Sequence, residues 1–141
     1  MNTVSLQRIE GWESRLAKVI VCARMRPYRL GEHDCTSFAC AAVAALTGVD
    51  LWPRLRGRYA TRLQSSQMLV QYGGSFASAI RSWLGLETQP MKLSRRGDLS
   101  VIAALSREHL AVVIGTKIAT PGLDGLIFVD RARGEHCWQI G

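Results

Sequence analysis

The sequence predicts an α+β fold in which helices come first and an antiparallel sheet follows. In the first half, apolar residues recur at three- and four-residue spacing between Gly and Pro breaks, which is the pattern of amphipathic helices. Beyond Pro90 the apolar runs become short and β-branched, and Gly, Pro and Asp separate them, which is typical of strands joined by turns. The chain has 141 residues, of which 48% are hydrophobic and 21% charged. These values predict one globular domain over residues 1–141.

The first two predicted helices differ in character. Ser5 to Met25 form an amphipathic helix that Pro27 stops. The second helix runs from Thr36 to Thr47, with Asp34 as its N-cap and Gly48 at its end. Because this second helix is apolar on most faces, we expect it to be buried at the centre of the domain.

Two more helices and five strands complete the predicted fold. The helices cover Thr61 to Gln71 and Ser75 to Leu84, and glycines end both of them. The predicted strands are Asp98 to Leu105, His109 to Ile114, Lys117 to Thr120, Leu126 to Asp130 and His136 to Ile140.

The chain is basic, with 18 Lys and Arg against 11 Asp and Glu, a net charge of +7. This charge favours an anionic neighbour such as nucleic acid, an envelope polymer or an acidic protein surface. Because the basic residues are scattered and form no basic-aromatic motif, we predict no specific nucleic-acid partner. The run from Arg54 to Arg58 is either a solvated loop or a docking site for an acidic neighbour.

No apolar run reaches the roughly twenty residues that a membrane span needs, so no membrane span is predicted. Residues 1–15 contain no apolar core like that of a signal peptide, so we expect synthesis in a cytoplasm.

The cysteine pattern does not predict a metal site. No C-x-x-C pair and no Cys/His knuckle spacing occurs, so we expect neither a zinc site nor another cofactor. The chain is neither tiny nor preceded by a signal peptide, so disulfides are not expected. Cys40 is predicted to lie in the core, and Cys22 and Cys137 in the core or at its edge.

One cysteine and one histidine are candidates for chemistry. Cys35 stands where the second helix begins, and a thiol at a helix N-terminus is expected to have a lowered pKa. His109 opens an apolar strand and is positioned to form an ion pair with that thiolate. The alternatives are that Cys35 is a small buried hydrophobe and His109 an exposed strand-start residue. His33 is either a further site residue or a solvated loop histidine.

Several short motifs resemble those of the NlpC family of papain-like cell-wall peptidases. They are Pro27-Tyr28, Gly31, Asp34-Cys35 and Phe38, then Arg96-Gly97-Asp98-Leu99, then His109-Leu110-Ala111-Val112-Val113-Ile114-Gly115. The run from Arg26 to Cys35 and the Thr-Gly-Val-Asp at the helix end more narrowly resemble a small branch encoded in phage and prophage tail gene clusters.

The resemblance implies a papain-like fold whose nucleophile helix packs on an antiparallel sheet of about five strands. It implies that Cys35 is the nucleophile, His109 the general base and Tyr28 a donor near the oxyanion site. Where the family places a third polar residue to orient the histidine, the only candidate on the next strand is Thr120. His136 is an alternative if the last strand lies beside His109.

By the same resemblance, the substrate is the stem peptide of bacterial peptidoglycan, commonly cut between D-glutamate and diaminopimelate. The protein is then expected in the virion, at the phage tail tip, with tail hub and tip proteins as partners. A second possibility is a structural tail subunit that keeps the fold with a weak or inert site. A nucleic-acid-binding module is a third.

Overall fold

The computed structural model describes residues 5–104 and 107–141. In these residues the order of elements is four α-helices followed by five strands. The helices are α1 (Trp12–Ala23), α2 (Cys35–Thr47), α3 (Arg62–Gln71) and α4 (Phe76–Leu84). The strands are β1 (Leu99–Ala104), β2 (Arg107–Val113), β3 (Lys117–Gly122), β4 (Gly125–Asp130) and β5 (Cys137–Trp138). The predicted α+β class is therefore confirmed, while the predicted end of the first strand at Leu105 lies outside the described residues.

Helix α2 occupies the centre of the domain, as its composition predicts. Asp34 caps its first turn in a capping box with Ser37, and Gly48 ends it in the left-handed conformation. Most of its residues are buried, and it packs against α1 on one side and against β2 and β3 of the sheet. Its local start and stop signals were sufficient to predict its position.

The strands form one antiparallel sheet in the order β4-β3-β2-β1-β5. One face carries Leu99, Val101, Leu110 and Val112, which join α2 in the main core. The opposite face carries a smaller cluster of Ile102, Ala111, Val113 and Ile118. Neighbouring residues of β1 and β2 thus point alternately toward and away from the helices.

The first predicted helix is too long at its N-terminal end. Helix α1 starts only at Trp12, because Gly11 adopts a left-handed conformation with φ 79°. The preceding segment instead runs along the end of α2 and the C-terminus. Ile9 N–H donates to Leu46 O at 2.8 Å, and Arg8 Nε donates to Ile140 O at 2.8 Å.

The sheet also differs from prediction at its two ends. β3 continues through Pro121 to Gly122, whereas β5 shrinks to Cys137 and Trp138. Beyond Trp138 the chain turns to the interior, where Ile140 N–H donates to the buried Asp98 carboxylate at 2.9 Å. No helix in the described ranges has both the length and the apolar composition to cross a membrane.

Candidate active site at the start of the central helix

Asp34 organises the loop that leads into α2. Its Oδ1 accepts a hydrogen bond from Ser37 N–H at 2.8 Å, which caps the helix. Its Oδ2 accepts from Gly31 N–H at 2.8 Å and from the Tyr59 hydroxyl at 2.6 Å. One buried carboxylate therefore fixes the helix start, the preceding turn and a distant tyrosine.

Tyr59 also belongs to the site, although the sequence did not predict it. It is buried, it lies 25 residues from Asp34, and nothing local to either residue predicts their contact. The sequence does contain a weak indication that Tyr59 is buried, because the apolar residues Leu51, Leu55 and Tyr59 recur at four-residue spacing. All three are buried in the structure. Burial and the Asp34 hydrogen bond raise the pKa of Tyr59, so its hydroxyl stays protonated as a donor.

Cys35 is half-buried, and its sulfur lies against strand β2. Burial raises the pKa of its thiol to about 11, and the neighbouring Asp34 carboxylate adds to this. The N–H of Leu110, the Thr36 hydroxyl and the N–H of Cys35 itself act in the opposite direction. The expectation of a lowered pKa is therefore wrong for the resting chain, because desolvation outweighs the donors at the helix start.

The backbone next to His109 lies beside the Cys35 sulfur, but the His109 side chain leaves the strand on the opposite face of the sheet. Leu110, the next residue, packs in the main core with α2, and its N–H faces the Cys35 sulfur. His109 pairs with Ile102, which lies in the cluster on the opposite face. The hydrogen-bonding groups found at the Cys35 sulfur are the Leu110 N–H, the Thr36 hydroxyl and the Cys35 N–H, and the His109 ring is not one of them.

Glu108, the residue before His109, confirms this alternation. Its Oε1 accepts a hydrogen bond from Phe76 N–H at 3.2 Å, at the first turn of α4 in the helical layer. Leu110 and Glu108 thus both face the helices, and His109 lies between them on the strand.

Tyr28 lies within electrostatic reach of Cys35. Burial raises the pKa of Tyr28, and the negative charges that Cys35 and Asp34 carry when ionised raise it further. The Tyr28 side chain is still 36% exposed, and its backbone N–H donates to Leu123 O at 3.2 Å in the turn after β3. The raised pKa keeps the Tyr28 hydroxyl protonated at neutral pH, so it remains a hydrogen-bond donor.

Thr120 and His136 are engaged elsewhere. The Thr120 hydroxyl donates to Leu110 O at 2.8 Å, next to Pro121, which has no N–H to give to the ladder. β5 pairs with β1 and not with β2, so His136 is separated from His109 by a whole strand. The His136 ring instead packs edge-on against Trp138 at 4.9 Å. Thr120 thus lies on the predicted strand, but its hydroxyl is hydrogen-bonded to the backbone of β2.

An apolar cavity of about 130 Å³ adjoins the site between α2, α3, α4 and the sheet. Thr36, Tyr59 and Leu110 line it near Cys35, and side chains such as Met68 and Trp83 line its remaining walls. An apolar cavity near 150 Å³ is large enough to bind a small aromatic molecule. This cavity can therefore hold one apolar side chain beside Thr36, the residue that follows Cys35.

The remaining cysteines do not form a cluster. Cys22 is exposed on α1, whereas Cys40 and Cys137 are buried, and all of them are free thiols. Burial raises the pKa of Cys40 to about 12, so it behaves as a small apolar residue. In the part of the chain that the structure describes, no three His, Cys, Asp or Glu side chains are placed to hold a metal ion.

Comparison with known proteins identifies a family but no activity. The model of DUF6950, a domain of unknown function, matches residues 7–140. No curated protein and no solved structure matches the chain. Any function must therefore be argued from the site itself.

Proposed function

We propose that this chain, which belongs to the DUF6950 family, is a cysteine peptidase with a papain-like fold of the NlpC type, carried in the tip of a phage tail. Its substrate is the stem peptide of bacterial peptidoglycan. The observation that carries the proposal is the position of the Cys35 sulfur. It lies at the start of a buried central helix, against strand β2, which carries His109, with backbone N–H groups directed at it.

The reaction assigned to these residues is acyl transfer to sulfur. The Cys35 sulfur attacks the scissile carbonyl, the thiol proton passes to His109, and the C–N bond breaks as His109 protonates the leaving amine. Water then hydrolyses the thioester. Cys35 N–H and the protonated Tyr28 hydroxyl are the donors proposed for the oxyanion, and one such donor is worth about 3 kcal/mol of barrier.

This mechanism requires the His109 side chain to change its conformation. Since the imidazole starts on the opposite face from Leu110, it must turn past the strand edge toward the sulfur when substrate enters. Substrate also displaces water from the site, and the formation of an imidazolium beside the sulfur then stabilises the thiolate.

Purified protein incubated with purified sacculi tests the proposal, with released peptides identified by mass spectrometry. We expect Cys35→Ala and His109→Ala to abolish cleavage while the folded circular-dichroism spectrum is retained. Cys22→Ala is the matched control, because Cys22 is an exposed thiol on α1 outside the site. Full cleavage by folded Cys35→Ala protein refutes the proposal.

The raised thiol pKa, and a set of hydrogen-bonding groups at the sulfur that does not include His109, favour a second candidate, a structural tail subunit with an inert site. In this case neither wild-type protein nor any variant cleaves sacculi. Phage carrying Cys35→Ala then assemble infective tails, whereas deletion of the chain blocks tail assembly.

A further inference from the structure

A long groove of about 1060 Å³ lies on the side of α2 that faces α1. α1 forms one wall, the small residues Ala41, Ala44 and Ala45 of α2 form the floor, and the loop around Trp52 and Arg56 forms the other wall. Pockets for small ligands have volumes of about 300 to 1,000 Å³, so this groove has room for a short stretch of chain. Cys35 is not among its lining residues, whereas Gly31, His33 and Ser37 are, so the groove borders the segment that positions Cys35 without including the sulfur.

The groove has an excess of positive charge. Arg15, Lys18, Arg26 and Arg56 line it, against Glu32 and Asp50. Both carboxylates already have partners. Glu32 forms an ion pair with Arg29 at 3.2 Å, and an Asp50 oxygen accepts a hydrogen bond from Trp52 N–H at 3.1 Å. Among the described residues, Lys18, Arg26 and Arg56 have no ion-pair partner, so they are available to an anionic ligand.

His33 provides an independent observation. The sequence left it as either a site residue or a solvated loop histidine, but it is only 4% exposed, so the solvated alternative is wrong. It lines the groove, and its buried Nε2 has no hydrogen-bond partner. Burial and the nearby Arg26 lower its pKa, so its imidazole is neutral at pH 7. A buried nitrogen without a partner is unfavourable, so a ligand that supplies its partner binds more tightly.

We infer that this groove binds an acidic peptide segment of a partner protein, with Lys18, Arg26 and Arg56 contacting its carboxylates and His33 accepting or donating one further hydrogen bond. Val19 and Trp52 give the groove apolar contacts for the side chains between those carboxylates. Nucleic acid is disfavoured because single strands need a series of exposed stacking platforms. Of the aromatic rings among the described lining residues, those of His33 and Phe38 are buried, which leaves Trp52.

Fluorescence anisotropy tests this with a fluorescein-labelled eight-residue peptide of alternating Glu and Leu, and with the same peptide carrying Gln for Glu. We expect the Glu peptide to bind and the Gln peptide to bind much more weakly. The double variant Lys18→Gln and Arg56→Gln should weaken binding by about two- to thirtyfold, the range expected for the loss of two exposed charge pairs. Ala41→Glu, which places a carboxylate on the groove floor, should abolish binding.

The matched control is the double variant Lys92→Gln and Arg133→Gln, which removes the same charge from exposed positions outside the groove. It should change the affinity by less than about twofold. Absence of binding, equal weakening by both double variants, or tighter binding of a single-stranded oligonucleotide or of anionic vesicles overturns the inference. Cys35→Ala protein should bind like wild type, so failure of the peptidase proposal leaves this result unaffected.

Discussion

At the scale of single residues, the Cys35 thiol is governed by two opposing effects. The helix start supplies N–H donors that stabilise a thiolate, whereas burial and the Asp34 carboxylate destabilise it. Burial is the largest effect, and the pKa is raised to about 11. The sequence revealed the donors, because they follow from position alone. It did not reveal the burial, which depends on strand β2 arriving beside the sulfur.

This balance predicts how Cys35 reacts with an alkylating agent. In Cys22→Ala protein, the rate of carbamidomethylation of Cys35 should rise about tenfold per pH unit from pH 7 to pH 10, because the thiolate is the nucleophile. Intact-protein mass spectrometry followed by peptide mapping measures this rate. A preformed ion pair with His109 would instead give a rate that hardly changes between pH 6 and pH 9, and that result would refute the resting state described here.

Tyr59 is the second residue whose role can be measured. Tyr59→Phe removes a hydroxyl that donates to the buried Asp34 carboxylate at 2.6 Å, and the carboxylate keeps its two backbone donors. Hydrogen bonds to charged groups contribute roughly 1.5 to 3 kcal/mol, so we expect the free energy of unfolding in urea to fall by about 2 kcal/mol.

Tyr72→Phe is the control for this substitution, because the Tyr72 ring packs edge-on against Trp83 and the substitution keeps that ring. It should cost less than about 0.5 kcal/mol. Equal losses for the two tyrosines would mean that the Asp34 contact contributes nothing to stability.

At the scale of elements, the sequence predicted what local chemistry decides. Asp34 and the glycines Gly48 and Gly85 marked helix ends, and the predicted first residues Thr61 and Ser75 are the N-caps one residue before α3 and α4. Gly11 was overlooked because the apolar spacing continues through it. β5 was overestimated because Ile140 is apolar for a different reason, namely its burial in the core.

The loop before α2 offers a test at this scale, through Gly31. It adopts φ +83°, and a Cβ added there would lie 2.7 Å from the carbonyl oxygen of Tyr59. Gly31→Ala therefore incurs both backbone strain and a clash with backbone, and it displaces the N–H that Asp34 accepts. We expect a loss of about 3 kcal/mol or more in chemical unfolding.

Gly57→Ala separates these two costs. Gly57 has a similar φ of +81°, but nothing lies within 4 Å of an added Cβ. The free energy of unfolding of Gly57→Ala protein should fall only by the strain energy of the left-handed conformation, about 1 to 2 kcal/mol. If both substitutions cost the same, the close approach of Gly31 to Tyr59 is not a real constraint on the loop.

At the scale of the whole molecule, the contacts that sequence could not predict are those between distant segments. Asp34 with Tyr59, Glu108 with the start of α4, and the Thr120 hydroxyl with Leu110 O each join residues whose local patterns are independent. These contacts lie around Cys35 and on either side of His109 along β2. The fold class was therefore predictable, whereas the state of the candidate site was not.

The segment before α1 is held to the rest of the domain by Arg8, which contacts three distant residues of the chain. Its guanidinium donates to Ile140 O at 2.8 Å, to Arg96 O at 2.8 Å and to the Asp98 carboxylate at 3.0 Å, and it stacks over Trp12 at 4.3 Å. Asp98 is 0% exposed, so its charge relies on such partners. Because Arg95 also pairs with Asp98, removal of Arg8 leaves this carboxylate only partly compensated.

We therefore expect Arg8→Met to lower the free energy of unfolding by about 3 kcal/mol, since breaking a buried ion pair costs roughly 3 to 5 kcal/mol and Arg95 retains part of it. Arg8→Lys should not restore stability, because an ammonium group cannot donate to three separate oxygens in the planar geometry of a guanidinium. Arg24→Met, at an exposed position, is the control and should cost less than about 0.5 kcal/mol. Guanidinium chloride unfolding followed by tryptophan fluorescence measures all three. Were Arg8→Met as stable as Arg24→Met, the N-terminal segment would be a passive tail and not part of the closed domain.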